Sequence, residues 1–359
     1  MSVMRTTPPE RRTPPGKVAG VIDTIADAVT LVIQRPWLMI VPLMIDIILW
    51  LFLHVTMGPV MTTLIDLLET SNVEGSEVII DELRATGDQI MISDYLGAFV
   101  PGLFTGMPLD SVVGALMLFV APDGFGIPRS DMYTPWANGL VDAIVPSSSA
   151  SVFGVWLVCV LVSSIALIAF RVPLVRVIRA TQPTTLSTEM AGSWLHFLLY
   201  MVLLVVAGCA AFMLLAVMAL LVSVMGLSIA FVFSFAILIF GGMAGIYTFF
   251  AVDAMLIHRT TPINGFRMSY AVARQFFGES TRFVLTCIFL MLATMTLWGS
   301  LAGTAPGFII SLIGSAFVGT VLAAASMFFY TDRYRIIRAL ELGNRSRSTN
   351  WPPAITRKE

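Results

Sequence analysis

The sequence predicts an all-α protein, a polytopic bundle of transmembrane helices. Hydrophobic residues make up 57% of its 359 residues and charged residues only 12%, whereas soluble domains carry about 25% charged residues. The mean hydropathy is +0.88. Several uncharged runs are at least as long as the roughly 20 residues that cross a bilayer. Because so few charges cannot cover the chain with a polar surface in water, lipid is expected to be its solvent.

Long apolar runs predict where the spans lie. The first run is Trp37–Thr56 and the second is Val152–Phe170. Residues 194–252 contain no Asp, Glu, Lys or Arg. As one straight helix this run would be roughly 88 Å long, whereas the hydrocarbon core is only about 30 Å thick. The run must therefore fold back, and its turn is predicted at 223–228.

The uncharged run 283–331 is divided by the same argument, with a break at 302–307, so that six spans result. Short alternating segments, which a membrane barrel requires, are not the pattern here, so the spans are expected to be helices. In chain order the predicted parts are a disordered cytoplasmic tail (1–17), an interfacial helix with the first span (18–56), an extracytoplasmic helical insert of 95 residues (57–151), spans two to six (152–330) and a basic cytoplasmic tail (331–359).

Basic residues predict the orientation of the chain. Nineteen of the 21 Lys and Arg residues fall in the two tails and in the loops that would share their side of the membrane. The 57–151 segment contains only Arg84 and Arg129 against twelve acidic residues, a net charge of −10. Loops rich in Lys and Arg remain in the cytoplasm. Both termini are therefore expected to be cytoplasmic, in a bacterial inner membrane.

Amphipathic segments precede three of the spans. In Val18–Gln34 the apolar residues recur at helical spacing, which is typical of a helix lying on the membrane surface. A similar helix is predicted to start at Thr261 and Pro262, before the fifth span, and a shorter one, Leu186–Trp194, precedes the third. Interfacial helix, span, turn and span thus recur three times in one orientation. Parallel repeats occur in transporters and also in proteins that transport nothing.

One segment resembles a recurrent element of bacterial membrane proteins. Residues 265–292 read GFRMSYAVARQFFGESTRFVLTCIFLML, in which an amphipathic helix leads through a short polar break into a span. This is similar to uncharacterised six-helix proteins related to the glycerophosphoryl diester phosphodiesterase membrane-domain family. The catalytic domain of the phosphodiesterase has no counterpart in this chain. The resemblance therefore implies an architecture and no active-site residues.

Asp46 is the most unusual residue for its surroundings. It lies in the middle of the first span, four residues after Pro42, where an ionisable group costs about 2.5–3.5 kcal/mol on insertion scales. It is expected to face the bundle. One hypothesis makes it a proton or cation carrier; the other, which we favour, makes it a neutral carboxyl that donates a hydrogen bond and holds helices together. No Lys or Arg occurs in the middle of a predicted span to pair with it.

Two arginine clusters follow the second and the sixth span. Setting the topology of the chain is enough to explain both, and they also suit contacts with anionic lipid head groups. The candidate head-group contacts are Arg171, Arg176, Arg179, Arg333, Arg335 and Arg338.

Small residues recur every four positions in the sixth span. They form a narrow stripe that another helix can approach closely, and its members are Ser311, Ser315, Gly319 and Ala323. Because six spans must pack together, the stripe is expected to contact another helix of the same chain. A second copy of the chain is the alternative partner.

No cofactor or metal is predicted. His196 and His258 would ligate a haem only if their helices were adjacent and their depths matched, and their depths are expected to differ. The zinc-binding HExxH pattern is not found, and neither is a cluster of Cys and His.

The function is predicted by exclusion. The sequence contains no Walker A motif, no dinucleotide-binding glycine pattern and no GxSxG nucleophile elbow. The leading hypothesis is a non-enzymatic scaffold or a component of an export or envelope system, which contacts membrane lipids and a protein partner or a second copy. Nucleic acid is not an expected partner. The alternatives are a small-solute or ion transporter using Asp46 and a membrane-embedded enzyme acting on lipid.

Overall fold

The computed structural model describes residues 19–52, 58–71, 80, 99–101, 103, 149–179, 185–224 and 241–349. In these residues the regular elements are helical and no strand occurs. In chain order they are α1 (Val21–Gln34), a 3-10 turn (Pro36–Met39), α2 (Ile40–Phe52), α3 (Gly58–Ser71), α4 (Ser149–Arg179), α5 (Leu186–Val224), α6 (Gly242–Thr248), α7 (Ala251–His258), α8 (Pro262–Gln275), α9 (Phe277–Leu301) and α10 (Ala305–Thr349).

Four helices of the described part are long and apolar enough to cross a membrane. They are Ala150–Arg179, Leu186–Ala210, Phe277–Leu301 and Ala305–Glu341. A fifth is counted if α1 and the helical segment that follows it form one broken span. The apolar helix Gly242–His258 is shorter. The described part of the chain is therefore all-helical and contains four to five membrane-spanning candidates, and the six predicted spans are not confirmed.

The chain bends sharply where the amphipathic helix α1 meets the first apolar run. The two helical segments meet at 97°. Pro36 explains the bend, because it lacks a backbone N–H and disfavours the helical conformation at the preceding residue; Arg35 accordingly has φ −136° and ψ 64°. Leu31 is buried on one face of α1, while Ile22 on another face is 82% exposed. α1 is therefore a helix of its own ahead of the first apolar run, and its location at the membrane surface stays a prediction.

Two further helix boundaries lie where the sequence predicted them. α8 begins with Pro262 as its first residue and Thr261 as its N-cap. Pro is favoured at this position because its missing N–H would have no intrahelical partner there. The break between α9 and α10 falls at residues 302–304, inside the predicted break.

Two other expectations differ from the structure. Leu186–Trp194 is not a separate interfacial helix, because it continues without a break into the rest of α5. The described residues beyond position 330, predicted as a tail, are helical and belong to α10. The helix continues because residues 331–342 contain no Pro or Gly that would end it. The predicted turn at 223–228 lies almost entirely outside the described residues, as do the predicted insert helices after α3.

A short link of two phenylalanines separates α6 from α7. Ser269 of α8 anchors this link: its Oγ accepts a hydrogen bond from the N–H of Phe250 at 3.2 Å and donates one to the carbonyl of Tyr247 at 2.7 Å. The ring of Phe250 stacks on Phe329 of α10 with 5.3 Å between centroids. The link therefore directs an aromatic side chain into the core and places α7 against α4 and α10.

Candidate functional site

Asp46 lies inside the helix bundle, as the sequence predicted. Its side chain is fully buried, with 0% exposure. Oδ2 accepts a hydrogen bond from the backbone N–H of Leu103, with 2.8 Å between the atoms. The predicted bond was one that a neutral carboxyl would donate, whereas the observed one is accepted. The partner is a backbone group of the segment that was predicted to lie outside the membrane.

Residues 99–101 and 103 lie inside the bundle. The N–H of Phe99 donates a hydrogen bond to Ser163 Oγ of α4 at 3.2 Å, and the Phe99 ring meets Phe197 of α5 edge-on at 5.4 Å. The exposure of Phe99, Val100 and Leu103 is 3% or less. At least these residues of the 57–151 segment therefore do not rest on the outer face of the bundle.

Apolar side chains and satisfied backbone groups together explain this burial. Non-helical backbone tolerates an apolar environment only where other groups accept its N–H hydrogen bonds. Ser163 and Asp46 provide those acceptors for Phe99 and Leu103. A buried N–H left without an acceptor costs about 1–3 kcal/mol. Asp46 therefore helps to hold an irregular segment in the bundle.

A second polar group links three helices. Arg171 of α4 donates from Nη1 to Oδ1 of Asp253 in α7, and Ser326 of α10 donates to Oδ2 of the same carboxylate at 2.5 Å. Asp253 is 1% exposed and Arg171 is 7% exposed. Arg171 is thus turned into the protein and does not fit the predicted contact with lipid head groups. The physical reason is that a buried carboxylate requires a counter-charge.

The sequence contains a pattern that is compatible both with span boundaries and with this ion pair. Arg171 directly follows the uncharged run of the second span, and Asp253 directly follows the uncharged run that ends at residue 252. Each charge was therefore interpreted as the boundary of a span. Two opposite charges at the ends of neighbouring runs are also the pattern expected if both lie inside the bundle and pair with each other.

Arg333 of α10 is also buried, with 1% exposure, so the predicted head-group contact does not fit this residue either. Its Nη2 donates to Glu279 of α9 at 3.0 Å and to the carbonyl of Ala19, which precedes α1, at 2.9 Å. The guanidinium carbon lies 3.5 Å from the centroid of the Phe329 ring. One side chain thus joins α10 to α9 and to the beginning of α1.

The four remaining candidate arginines do not share one environment. Arg176 is partly buried and pairs with Glu189 at the start of α5. Arg179 is partly exposed, and Arg335 and Arg338 are exposed. These four retain the access that a head-group contact requires.

The stripe of small residues on α10 is buried. Ser311 donates to the carbonyl of Trp298 in α9 at 3.1 Å, so a helix is its neighbour, as expected. A Cβ atom added to Gly319 would lie 2.5 Å from Cβ of Pro101, so the neighbour here is the irregular segment and not a helix. The other two members, Ser315 and Ala323, are 9% and 8% exposed.

His258, the last residue of α7, lies beside two tyrosines of α10. Its ring centroid is 4.5 Å from that of Tyr334 and 5.8 Å from that of Tyr330. Among the residues that the structure describes, no group of three or more His, Cys, Asp or Glu side chains is placed to hold a metal ion.

Comparison with known protein families, with curated proteins and with solved structures finds no match. The resemblance of residues 265–292 to six-helix membrane proteins therefore stays a prediction.

Proposed function

We propose that the chain is a non-enzymatic scaffold of the bacterial inner membrane, which acts through contacts of its surface with lipid or with a protein partner. The observation that supports this is the use of its buried charges. Each of them connects segments that are distant in the chain: Asp46 to a residue 57 positions away, Arg171 to one 82 positions away and Arg333 to one 314 positions away.

Such connections favour a fixed interior. A buried ion pair is strongly destabilised when one partner is removed, because the other charge is left without compensation. A side chain that must release its partner during each transport cycle would meet this cost repeatedly. Charges that join several helices are better suited to holding those helices in one fixed packing. The function is then expected to depend on contacts of the protein surface.

The proposed topology has six spans, with both termini in the cytoplasm. The distribution of Lys and Arg supports it. In this count α6 and α7 belong to the fourth span. One end of the bundle, the basic end, would then face the cytoplasm. It carries Arg176, Arg179, Arg259 and Arg338.

Cross-linking of the protein in its native membrane, followed by mass spectrometry, tests the scaffold. We expect a reproducible set of cross-linked neighbours, and the same set with Asp46→Asn, because the amide retains an acceptor for the Leu103 N–H. Flux measured in vesicles that contain the purified protein tests the transport alternative. Protein-dependent proton or cation flux that Asp46→Asn abolishes, in a variant that remains folded, would contradict the scaffold.

Transport is the second candidate, and one observation favours it. Non-helical backbone lies beside the middle of α2, where Asp46 is located, and irregular backbone within a helix bundle is a feature of transporters and channels. The same flux measurement decides between the two candidates.

A further inference from the structure

We propose that the basic end of the bundle binds a phosphate-bearing anion, of the kind carried by an anionic phospholipid head group or by a soluble phosphate compound. The site is formed by Glu189 with Arg176, Arg259 and Arg179, and by Arg338 beside the neighbouring His258. This inference rests on the proposed scaffold function and deepens it, because it names the chemical class of the ligand at that surface.

Glu189 holds two of the guanidinium groups side by side. Its Oε2 accepts from Nε of Arg176 at 2.8 Å, and its Oε1 accepts from Nε of Arg259 at 3.1 Å and from Nη2 of Arg259 at 2.5 Å. The Glu189 side chain is 6% exposed, whereas those of Arg176 and Arg259 are 23% and 45% exposed. The carboxylate is therefore covered by the two arginines, which remain accessible.

Two further arginines complete the cluster. Arg179 lies within electrostatic range of both Arg259 and Glu189, and Arg179 and Arg338 both lie within range of His258. Arg176, Arg259 and Arg179 thus lie around Glu189, and Arg338 lies near their neighbour His258. The four arginines and the one carboxylate together carry a net charge of +3. Neither Arg179 nor Arg338 makes an ion pair with an acid in the described parts of the chain.

The backbone at Arg259 adds an independent observation. Its φ is +51°, and no other non-glycine residue of the described chain has a positive φ. This left-handed conformation is uncommon for residues other than Gly, Asn and Asp. It occurs at the residue whose side chain reaches Glu189, and residues held in such conformations concentrate at functional sites.

Two polar atoms next to the arginines have no hydrogen-bond partner in the described chain. They are Nε2 of His258 and Oγ1 of Thr260, and both atoms are buried. These residues flank Arg259 on either side. Buried polar atoms usually have a partner, and both groups can donate a hydrogen bond to a phosphate oxygen.

Apolar surface beside the charges suits a lipid as the source of the phosphate. Leu186, one turn before Glu189, is 44% exposed, and Ile263, the second residue of α8 and four positions after Arg259, is 54% exposed. A phospholipid presents an anionic head group directly above apolar chains, and basic clusters at such positions are a known mode of head-group binding.

The test uses the full-length protein in nanodiscs of phosphatidylcholine, with and without phosphatidylglycerol, and a third sample in phosphatidylcholine with inorganic phosphate. Binding is measured by native mass spectrometry and by the shift in unfolding temperature. Arg179→Gln combined with Arg338→Gln removes two charges without breaking the Glu189 contacts. Each basic residue near an anionic surface strengthens binding by about five-fold, so the double variant should bind roughly 30-fold more weakly.

Arg335→Gln is the matched control, because Arg335 is an exposed arginine of the same helix outside the proposed cluster; it should weaken binding by less than the roughly five-fold expected for a cluster arginine. Stabilisation by phosphatidylglycerol that the double variant loses supports a lipid source. Stabilisation by inorganic phosphate that it loses supports a soluble source. Binding that the double variant and Arg335→Gln share equally, or no binding in either sample, overturns the site.

Circular dichroism and size-exclusion chromatography establish that the double variant is folded. Arg338→Gln alone, at an exposed position, is the fallback and should weaken binding by about five-fold. Loss of the site would leave the scaffold intact, because that proposal is judged by the set of cross-linked neighbours. Flux through Asp46 would contradict the scaffold without affecting the site.

Discussion

The Asp46 carboxylate accepts a hydrogen bond from the backbone N–H of Leu103, which lies 57 residues further along the chain. The bond explains why an acidic residue stands in the middle of an apolar helix. Residues 99–101 and 103 are not helical. The backbone N–H groups of Phe99 and Leu103 therefore depend on acceptors from the surrounding helices.

The acceptor role predicts how Asp46 responds to substitution. Asp46→Asn retains an oxygen that can accept the Leu103 N–H, so its unfolding temperature in detergent should be close to that of the wild type. Asp46→Leu leaves the N–H unsatisfied and should lower the free energy of unfolding by about 1–3 kcal/mol. Equal stability of the Asn and Leu variants would contradict this role.

Gly319 allows Pro101 to approach α10 closely. Because an added Cβ would lie 2.5 Å from Cβ of Pro101, Gly319→Leu should destabilise the protein by about 1–3 kcal/mol through overpacking. Gly208→Leu is the control, since a Cβ at this helical position in α5 meets no atom within 4 Å. Thermal unfolding in detergent compares the two. Wild-type stability of Gly319→Leu would mean that the segment can move away from α10.

Local patterns in the sequence predicted the helices and several of their ends. The bounds of the amphipathic segment Val18–Gln34 and of the apolar run from Trp37 predicted where α1 separates from the first apolar run. The Thr261–Pro262 pair predicted the start of α8. The break at 302–307 followed from the thickness of the bilayer. Each of these boundaries depends either on a few neighbouring residues or on the length of an apolar run. Both can be read directly from the sequence.

Contacts between distant residues could not be predicted in the same way. The position of Arg171 and Asp253 at the ends of two apolar runs is compatible with an ion pair but does not identify it, because the pair depends on how α4, α7 and α10 pack. The burial of Pro101 likewise depends on the space that Gly319 leaves on α10. A positive-inside count gives every arginine the same role, whereas the structure separates the buried Arg171 from the exposed Arg338.

The Arg171–Asp253 pair predicts a double-mutant cycle with strong coupling. Arg171→Met alone leaves a buried carboxylate without its counter-charge and should destabilise the protein by about 3–5 kcal/mol. Arg171→Met combined with Asp253→Leu removes both charges and should recover much of that loss. Chemical unfolding in detergent measures the cycle, with Arg335→Met as the control for loss of an exposed arginine. Additive effects of the two substitutions would show that the charges do not interact.

The proposed topology predicts which positions an impermeant thiol reagent can reach. In a variant without the three native cysteines, single cysteines at Ser71 and Ser148 should be labelled in intact cells, because the proposed topology places the 57–151 segment outside the cytoplasm. A cysteine at Ser346 should be labelled only after the membrane is permeabilised. Labelling of position 346 in intact cells, or protection of both others, would contradict the topology.

Arg333 predicts that lysine cannot replace arginine at this position. The guanidinium contacts Glu279, the carbonyl of Ala19 and the ring of Phe329 at the same time. A lysine has one compact ammonium group, which cannot present a planar face to the ring while donating in two directions. Arg333→Lys should therefore lower the free energy of unfolding by about 1–2 kcal/mol and increase proteolysis near the start of α1, whereas Arg335→Lys on the exposed face of α10 should change neither. If Arg333→Lys retains both the stability and the protease resistance of the wild type, α1 is held to the bundle by its apolar face and not by this side chain.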